Sequence, residues 1–400
     1  MSAEVKPGYK LTEVGVIPEE WKIVRIGDVT DIHIGRDLIE DRFSQFFDST
    51  YKFPVYSNTV EEQGFYGFYS LPEYEGDSVT VVGRGVGLGR AFARLGGYGA
   101  IGRLLVLFPS SRVDARFLAT YINQRVKIFI ETGGIPQLTG SQIAKYNVVL
   151  PSISEQRAIA GALSDVDALL EGLEWLITKK RNIKQAAMQQ LLTGKTRLPG
   201  FSGEWEVKRL GDVGAFLKGS GVRKDEAKSG SLPCIRYGEI YTHHNDYIKQ
   251  FNSWISVEVA ETATRLKQGD LLFAGSGETK EDIGKCVAFV DNCEAYAGGD
   301  TVILRLAAAN AMFMGYYCNT ASFNAQKASK GQGDAVVHIS AAALSSIEIT
   351  LPELPEQTAI AALLSDMDAE LAALEKRREK THNLKQAMMQ ELLTGKTRLI

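Results

Sequence analysis

Apolar residues recur in alternating steps of four and three at Ile159, Leu163, Val166, Leu170, Leu173 and Ile177, and again at Ile360, Leu364, Met367, Leu371 and Leu374. Such steps keep the apolar side chains on one stripe, so each run predicts a heptad seam along a single long helix. Ser152 with Glu155 fits a capping box, Pro355 suits the first turn of the second helix, and Gly194 and Gly395 predict the C-terminal caps. About 38 residues at 1.5 Å each make a rod of roughly 57 Å. A rod with one apolar stripe needs a partner, and the other copy packed antiparallel is the expected one. Packing of each helix on its own domain alone is the alternative. Elsewhere, short runs such as "DSVTVVG", "LLVLFP", "GDLLFAG" and "DTVILRL" predict strands between glycine-rich turns, and "DARFLATYINQRVKIFI" predicts a helix. The expected fold class is α+β, with two globular mixed α/β domains separated by two long helices packed as an antiparallel coiled coil.

The helical blocks are copies of one another. Leu150–Leu198 aligns with Leu351–Leu399 at a constant offset of 201 without a gap, with about 30 identities in about 50 positions. The shared pieces include "LP" followed by "EQ", "LSDVDA" against "LSDMDA", and a terminal "LLTGKTRL". A weaker echo joins "GVIPEEWKIVRIGDV" to "GFSGEWEVKRLGDV", matching Trp21 with Trp205. The chain therefore divides into variable and shared blocks: residues 1–150, 151–199, 200–351 and 352–400. The repeat is cyclic, as if residue 400 could be rejoined to residue 15, and predicts two halves related by a pseudo-two-fold axis.

Four hundred residues suit two or three domains. No apolar run approaches the roughly twenty residues of a membrane span and the N-terminus lacks a signal-peptide core, so a cytoplasmic protein is expected. "LLTGKTRL" invites a phosphate-loop reading, but the required first glycine is replaced by Gln189 and Gln390, and the preceding segment is helical, which disfavours an ATPase. "VGRGVGLGR" likewise makes no dinucleotide fingerprint. Cys234, Cys286, Cys293 and Cys318 form no C-x-x-C pair; a zinc site with His243 and His244 is weighed against small buried thiols, and the thiols are preferred. No metal is expected. The net charge of −3 argues against a general polyanion binder. Between Val79 and Ile130, however, eight basic residues (Arg84, Arg90, Arg94, Arg103, Arg112, Arg116, Arg125 and Lys127) face Asp114 alone, which predicts a local basic surface or a solvated face.

The "LP…EQ…I" start, the long helix ending in "LLTGKTRL" and the "GEWEVKRLGDV" that opens a second, unlike domain resemble the specificity subunit of Type I restriction-modification systems. "GDLLFAGSGETKEDIGKCVAF" and "HISAAALSSIEITLP" are similar to segments of target recognition domains. The resemblance implies that residues 1–150 and 200–351 are target recognition domains, each reading one half of a bipartite, asymmetric site on double-stranded DNA. It further implies that 151–199 and 352–400 form a spacer that sets the gap and docks two methyltransferase subunits, with an endonuclease-translocase subunit completing the complex. The chain has no N-P-P-[FY] or D-P-P-Y motif, so adenine flipping and DNA methylation are expected of the partner, and the chain is not expected to be an enzyme. S-adenosylmethionine and ATP are expected only in partner subunits.

The DNA contacts expected in the first domain are Arg84, Arg90 and Arg94 for phosphates or guanine, and Gln137 and Thr139 for base edges. In the second domain they are Lys218, Arg223 and Lys224; Arg236, Tyr237, His243 and Asn245; and Lys327, Lys330 and Gln332. Surface salt bridges and turn chemistry are the structural alternatives. Two other readings stay open: a non-enzymatic coiled-coil scaffold holding two protein-binding domains, and the specificity chain of a system that fuses nuclease to methyltransferase.

Overall fold

The structure, a computed structural model, describes residues 6–129, 136–333 and 336–400. Its contacts form two compact units, one of residues up to Glu174 with Lys376–Ile400 and one of Trp175–Glu375. Two 39-residue helices, Ile153–Leu191 and Leu354–Leu392, are divided between them. Each unit thus holds one variable domain, the opening part of the helix that follows it, and the closing part of the other helix.

Within each unit the two helical segments run antiparallel. In the second unit Lys180 pairs with Glu370 at 2.8 Å and Lys184 with Asp368 at 2.8 Å, so rising numbers on one helix meet falling numbers on the other. In the first unit Lys385 pairs with Asp167, which is the same lysine-to-aspartate contact displaced by the repeat. Ile159, Leu163, Leu173, Ile177, Ile360, Leu364 and Leu371 are buried, while Val166, Leu170, Met367 and Leu374 are half-buried. The seam serves two purposes. Ile159 and Leu163 pack both into the first domain's core and against Leu392 and Leu393, and Ile360 and Leu364 do the same with Leu191 and Leu192 in the second unit.

The helix ends explain the conserved spelling of the repeat. Gly194 and Gly395 take φ values of 69° and 70°, the left-handed conformation of a C-terminal cap. Beyond the caps the chain folds back against a tryptophan, Trp205 for Gly194 and Trp21 for Gly395. The arginine of each "TGKTRL" then reaches the opposite repeat: Arg197 meets Glu356 at 2.5 Å, and Arg398 grips Glu155 through both Nε and Nη2. Glu155 and Glu356 are buried, and these hydrogen bonds hold both guanidiniums more basic than usual. Glu155 therefore completes only half of the expected capping box. Its amide donates to the Ser152 hydroxyl oxygen at 3.2 Å, while its carboxylate accepts from Arg398 and the Trp21 indole. The neighbouring glutamines dock the domains. Gln156 Oε1 accepts from the Asp114 amide at 3.0 Å, and Gln357 Oε1 from the Asn310 amide at 2.9 Å. Asp114 and Asn310 in turn cap the helices Ala115–Arg125 and Ala311–Tyr317.

Each domain is built on a four-stranded antiparallel sheet. The order is Thr30–Ile34, Leu105–Pro109, Ser78–Val81, Ala91–Arg94 in the first, and Gly214–Lys218, Thr301–Leu306, Asp270–Ala274, Cys286–Ala288 in the second. The four runs read as strands from the sequence form the central pairs. Their alternation feeds two cores: Val79, Val81, Leu105 and Leu107 face the helical side, whereas Val82, Leu104 and Val106 join a second cluster with Tyr98 and Ala100. The second domain divides Leu271, Phe273 and Leu304 from Leu272, Ala274 and Ile303 in the same way. The helix expected from "DARFLATYINQRVKIFI" stops at Arg125, because Val126 adopts an extended conformation (φ −87°, ψ 114°) and Ile128 turns back onto the core. Cys234, Cys286 and Cys318 are buried free thiols and Cys293 is exposed. No described helix is long and apolar enough to cross a membrane.

Candidate nucleic-acid interface

Two backbone hydrogen bonds frame a cleft in the first domain. The Gly35 amide donates to the Leu104 carbonyl at 2.7 Å, and the Leu138 amide to the Gly83 carbonyl at 2.8 Å. The second domain repeats both, from Gly219 to Thr301 at 2.8 Å and from Ile339 to Gly275 at 3.0 Å. Strand register agrees with this match, since Leu105 stands opposite Ile34 as Val302 stands opposite Lys218. Arg103 therefore corresponds to Asp300, Gln137 to His338 and Thr139 to Ser340. Gly35 is required for the close approach: a Cβ there would meet the Ala100 carbonyl oxygen at 2.7 Å.

Cavities of about 810 Å³ and about 490 Å³ occupy these frames. Arg36, Asp37, Arg103, Gln137 and Thr139 line the first; Lys218, Asp300, Thr301, Lys330, Gln332 and His338 are among those lining the second. Thr139 and Ser340 occupy the same structural role, each accepting from the backbone of the short helix it caps, at 3.3 Å from the Gln142 amide and 3.1 Å from the Ala343 amide. His338 is exposed, with Nδ1 2.9 Å from the Ser276 hydroxyl, and its backbone exchanges hydrogen bonds with Gln332 at 2.8 and 2.9 Å. Each cleft thus offers both donors and acceptors on a fixed backbone, which is the chemistry needed to read base edges.

The structure brings together Gln137 and Thr139 in one cleft and Lys218, Lys330 and Gln332 in the other. Arg84 is exposed at the first cleft's margin, where its backbone bridges to Gln137. The remaining sequence-predicted residues lie elsewhere. Arg90 lines a separate cavity with Arg116, Asp167 and Lys385. Arg223 pairs with Glu226 at 2.8 Å and Lys224 is exposed beside it. The Arg236 amide donates to Glu239 at 3.4 Å, and Tyr237 packs against the Ile235 and Ile240 cluster. His243 Nδ1 lies 2.7 Å from the Thr242 hydroxyl. Asn245 accepts from Lys285 Nζ at 3.4 Å in a cavity of about 570 Å³ that also contains Lys184, Asp246 and Asp368.

Two expectations are corrected. Arg94 is 5% exposed, stacked at 3.5 Å on the Tyr56 ring and hydrogen-bonded to Thr80 and the Gln63 carbonyl, so it braces the domain from within and presents no guanidinium to DNA. Burial makes it easier to deprotonate than a free arginine. Lys327 is 1% exposed and donates to the Gly284 and Cys318 carbonyls at 2.7 and 3.1 Å. Desolvation pushes its pKa down to about 8. Both residues are polar groups that the core satisfies internally.

Sequence reasoning did not single out the cleft-lining Arg36, Arg103, Asp300 and His338, although Arg103 was counted in the basic segment. A signal for two of them existed: "GRLLVLF" and "GDTVILR" each place a charged residue between a glycine and a strand. The domains are too divergent for that match to be recognised before the strand register is known.

Against known proteins, the family model described as the Type I restriction modification DNA specificity domain matches residues 18–180 and again 202–382. A Type I restriction enzyme specificity subunit of Methanocaldococcus jannaschii is 22% identical over 418 residues, covering 96% of this chain and 94% of that one. Among solved structures, the S subunit of a Type I restriction-modification system from M. genitalium shares the fold with a TM-score of 0.62 at 15% identity, covering 96% of this chain and 98% of that one. A chain from a structure of type I R-M complex assembly and conformational transition aligns with a TM-score of 0.51 at 18% identity, covering 95% and 99%.

Proposed function

The chain belongs to the Type I restriction modification DNA specificity family, and from that premise we propose that it is the DNA-reading subunit of a Type I restriction-modification complex. Each variable domain reads one half of a bipartite, asymmetric target through its framed cleft. The paired helices set the unread gap and dock two methyltransferase subunits, and an endonuclease-translocase subunit joins the full assembly. Methyl transfer and its S-adenosylmethionine, and translocation and its ATP, reside in those partners. The observation that carries this reading is the pair of clefts: one backbone frame, built twice, lined by different hydrogen-bonding side chains. Two readers of one design with unlike linings recognise an asymmetric split sequence.

The test is to co-express the full chain with its methyltransferase partner and sequence methylated adenines across the genome. Methylation confined to one split motif is expected. Methylation scattered without a motif, or none, sinks the proposal.

A further inference from the structure

We propose that Arg103 and Asp300 are the matched base-reading residues of the two clefts, Arg103 selecting guanine in one half-site and Asp300 selecting cytosine in the other. This rests on the DNA-reading function proposed above. The two residues occupy one position in the repeated frame, two residues before the aligned Leu105 and Val302. Both are exposed, and both adopt left-handed backbone conformations, with φ of 65° and 56°. Side chains seldom accept that conformation, and glycine stands directly before each of them. Keeping a long or charged side chain there, in both domains, points to a use for the side chain itself.

The surroundings supply a second argument. Neither the Arg103 guanidinium nor the Asp300 carboxylate has a hydrogen-bond or ion-pair partner among the described residues, although both line their cavities. Next to Asp300, Thr301 lines the same cavity, and its buried hydroxyl has no hydrogen-bond partner among the described residues. The charges are opposite where the frame is the same. A guanidinium is donor-only and matches guanine O6 and N7; a carboxylate is acceptor-only and matches the cytosine N4 amino group. A carboxylate in a DNA-facing cleft repels phosphate, so it is useful there only if it accepts from a base. Lys218 and Lys330, lining the same cavity, provide the positive charge that lets the backbone approach.

Asp300→Asn and Arg103→Asn test the assignment, because asparagine tolerates the left-handed conformation and pairs with adenine. Each full-length variant is co-expressed with the methyltransferase partner and its methylated adenines are sequenced. With Asp300→Asn, one cytosine position in a single half-site is expected to lose its preference about tenfold and to accept adenine, while the other half-site stays unchanged. Arg103→Asn is expected to do the same to one guanine in the opposite half-site. Wild-type motifs retained by both variants would overturn the assignment. So would a wild-type half-site made only of A·T pairs, an observation that needs no variant to fold. A wild-type chain that gives no split motif at all would instead defeat the DNA-reading function, so the two failures are distinguishable.

Discussion

His244 is 3% exposed, its Nε2 has no hydrogen-bond partner among the described residues, and burial beside His243 and Lys285 pushes its pKa down to about 4 from an ordinary 6.5. Above pH 6.5 the imidazole is neutral folded or unfolded and has no effect on the balance. As pH falls from 6.5 towards 4 only the unfolded chain takes up the proton, so stability is lost at about 1.4 kcal/mol per pH unit. The thermal midpoint of the wild type is expected to fall across that window more steeply than that of His244→Gln; parallel curves would refute the assignment. Lys327 acts in the alkaline window. Its folded pKa of about 8 lies below the unfolded 10.5, so the unfolded state binds the extra proton between those values and stability rises with pH. Replacing it by methionine should remove that rise, measured as the difference in midpoint between wild type and Lys327→Met from pH 8 to 10. Arg94 and Lys327 share a lesson: residue type suggested contact with DNA, whereas the number of polar and aromatic neighbours in the core decided their role.

The long helices are fixed by contacts that recur at the repeat offset. Lys184 to Asp368 and Lys385 to Asp167 are one such pair, and Arg197 to Glu356 and Arg398 to Glu155 are another. Because Glu155 is buried, Glu155→Ala removes the buried counter-charge of Arg398 and leaves it with only the exposed Glu20; a loss of about 2 kcal/mol is expected, discounted from the fully buried case because Arg398 is partly exposed and keeps that second partner. Thermal unfolding of the full chain should show the lower midpoint, and an unchanged one would mean that the pair is merely a surface contact. The heptad periodicity predicted these helices closely, 39 residues each against about 38, since packing and the glycine C-terminal caps both followed the local pattern. If the pair sets the unread gap, deleting seven residues from each helix removes about 10 Å and should shorten the gap by about 3 base pairs. An unchanged gap in the methylation motif would rule out a ruler.

At the scale of the whole molecule, the proposed function makes the two variable domains independent readers. Replacing residues 22–149 with the corresponding domain of another specificity subunit should change one half of the methylated motif and leave the other intact; loss of both halves would show that the domains do not read separately. The two long helices, their glycine C-terminal caps, the repeat and the central strands of each sheet were legible because they depend on short-range spacing: apolar residues every three or four positions, a glycine after a helix, a motif returning after 201 residues. Tertiary structure alone decided the rest. It gave the glutamate of the first "EQ" pair, Glu155, to an arginine 243 residues away, buried Arg94 and Lys327, and set Arg103 and Asp300 at equivalent positions of their own domains. Those outcomes depend on which strands lie side by side and in what register, and the linear pattern of residues does not encode a register between segments whose sequences have diverged.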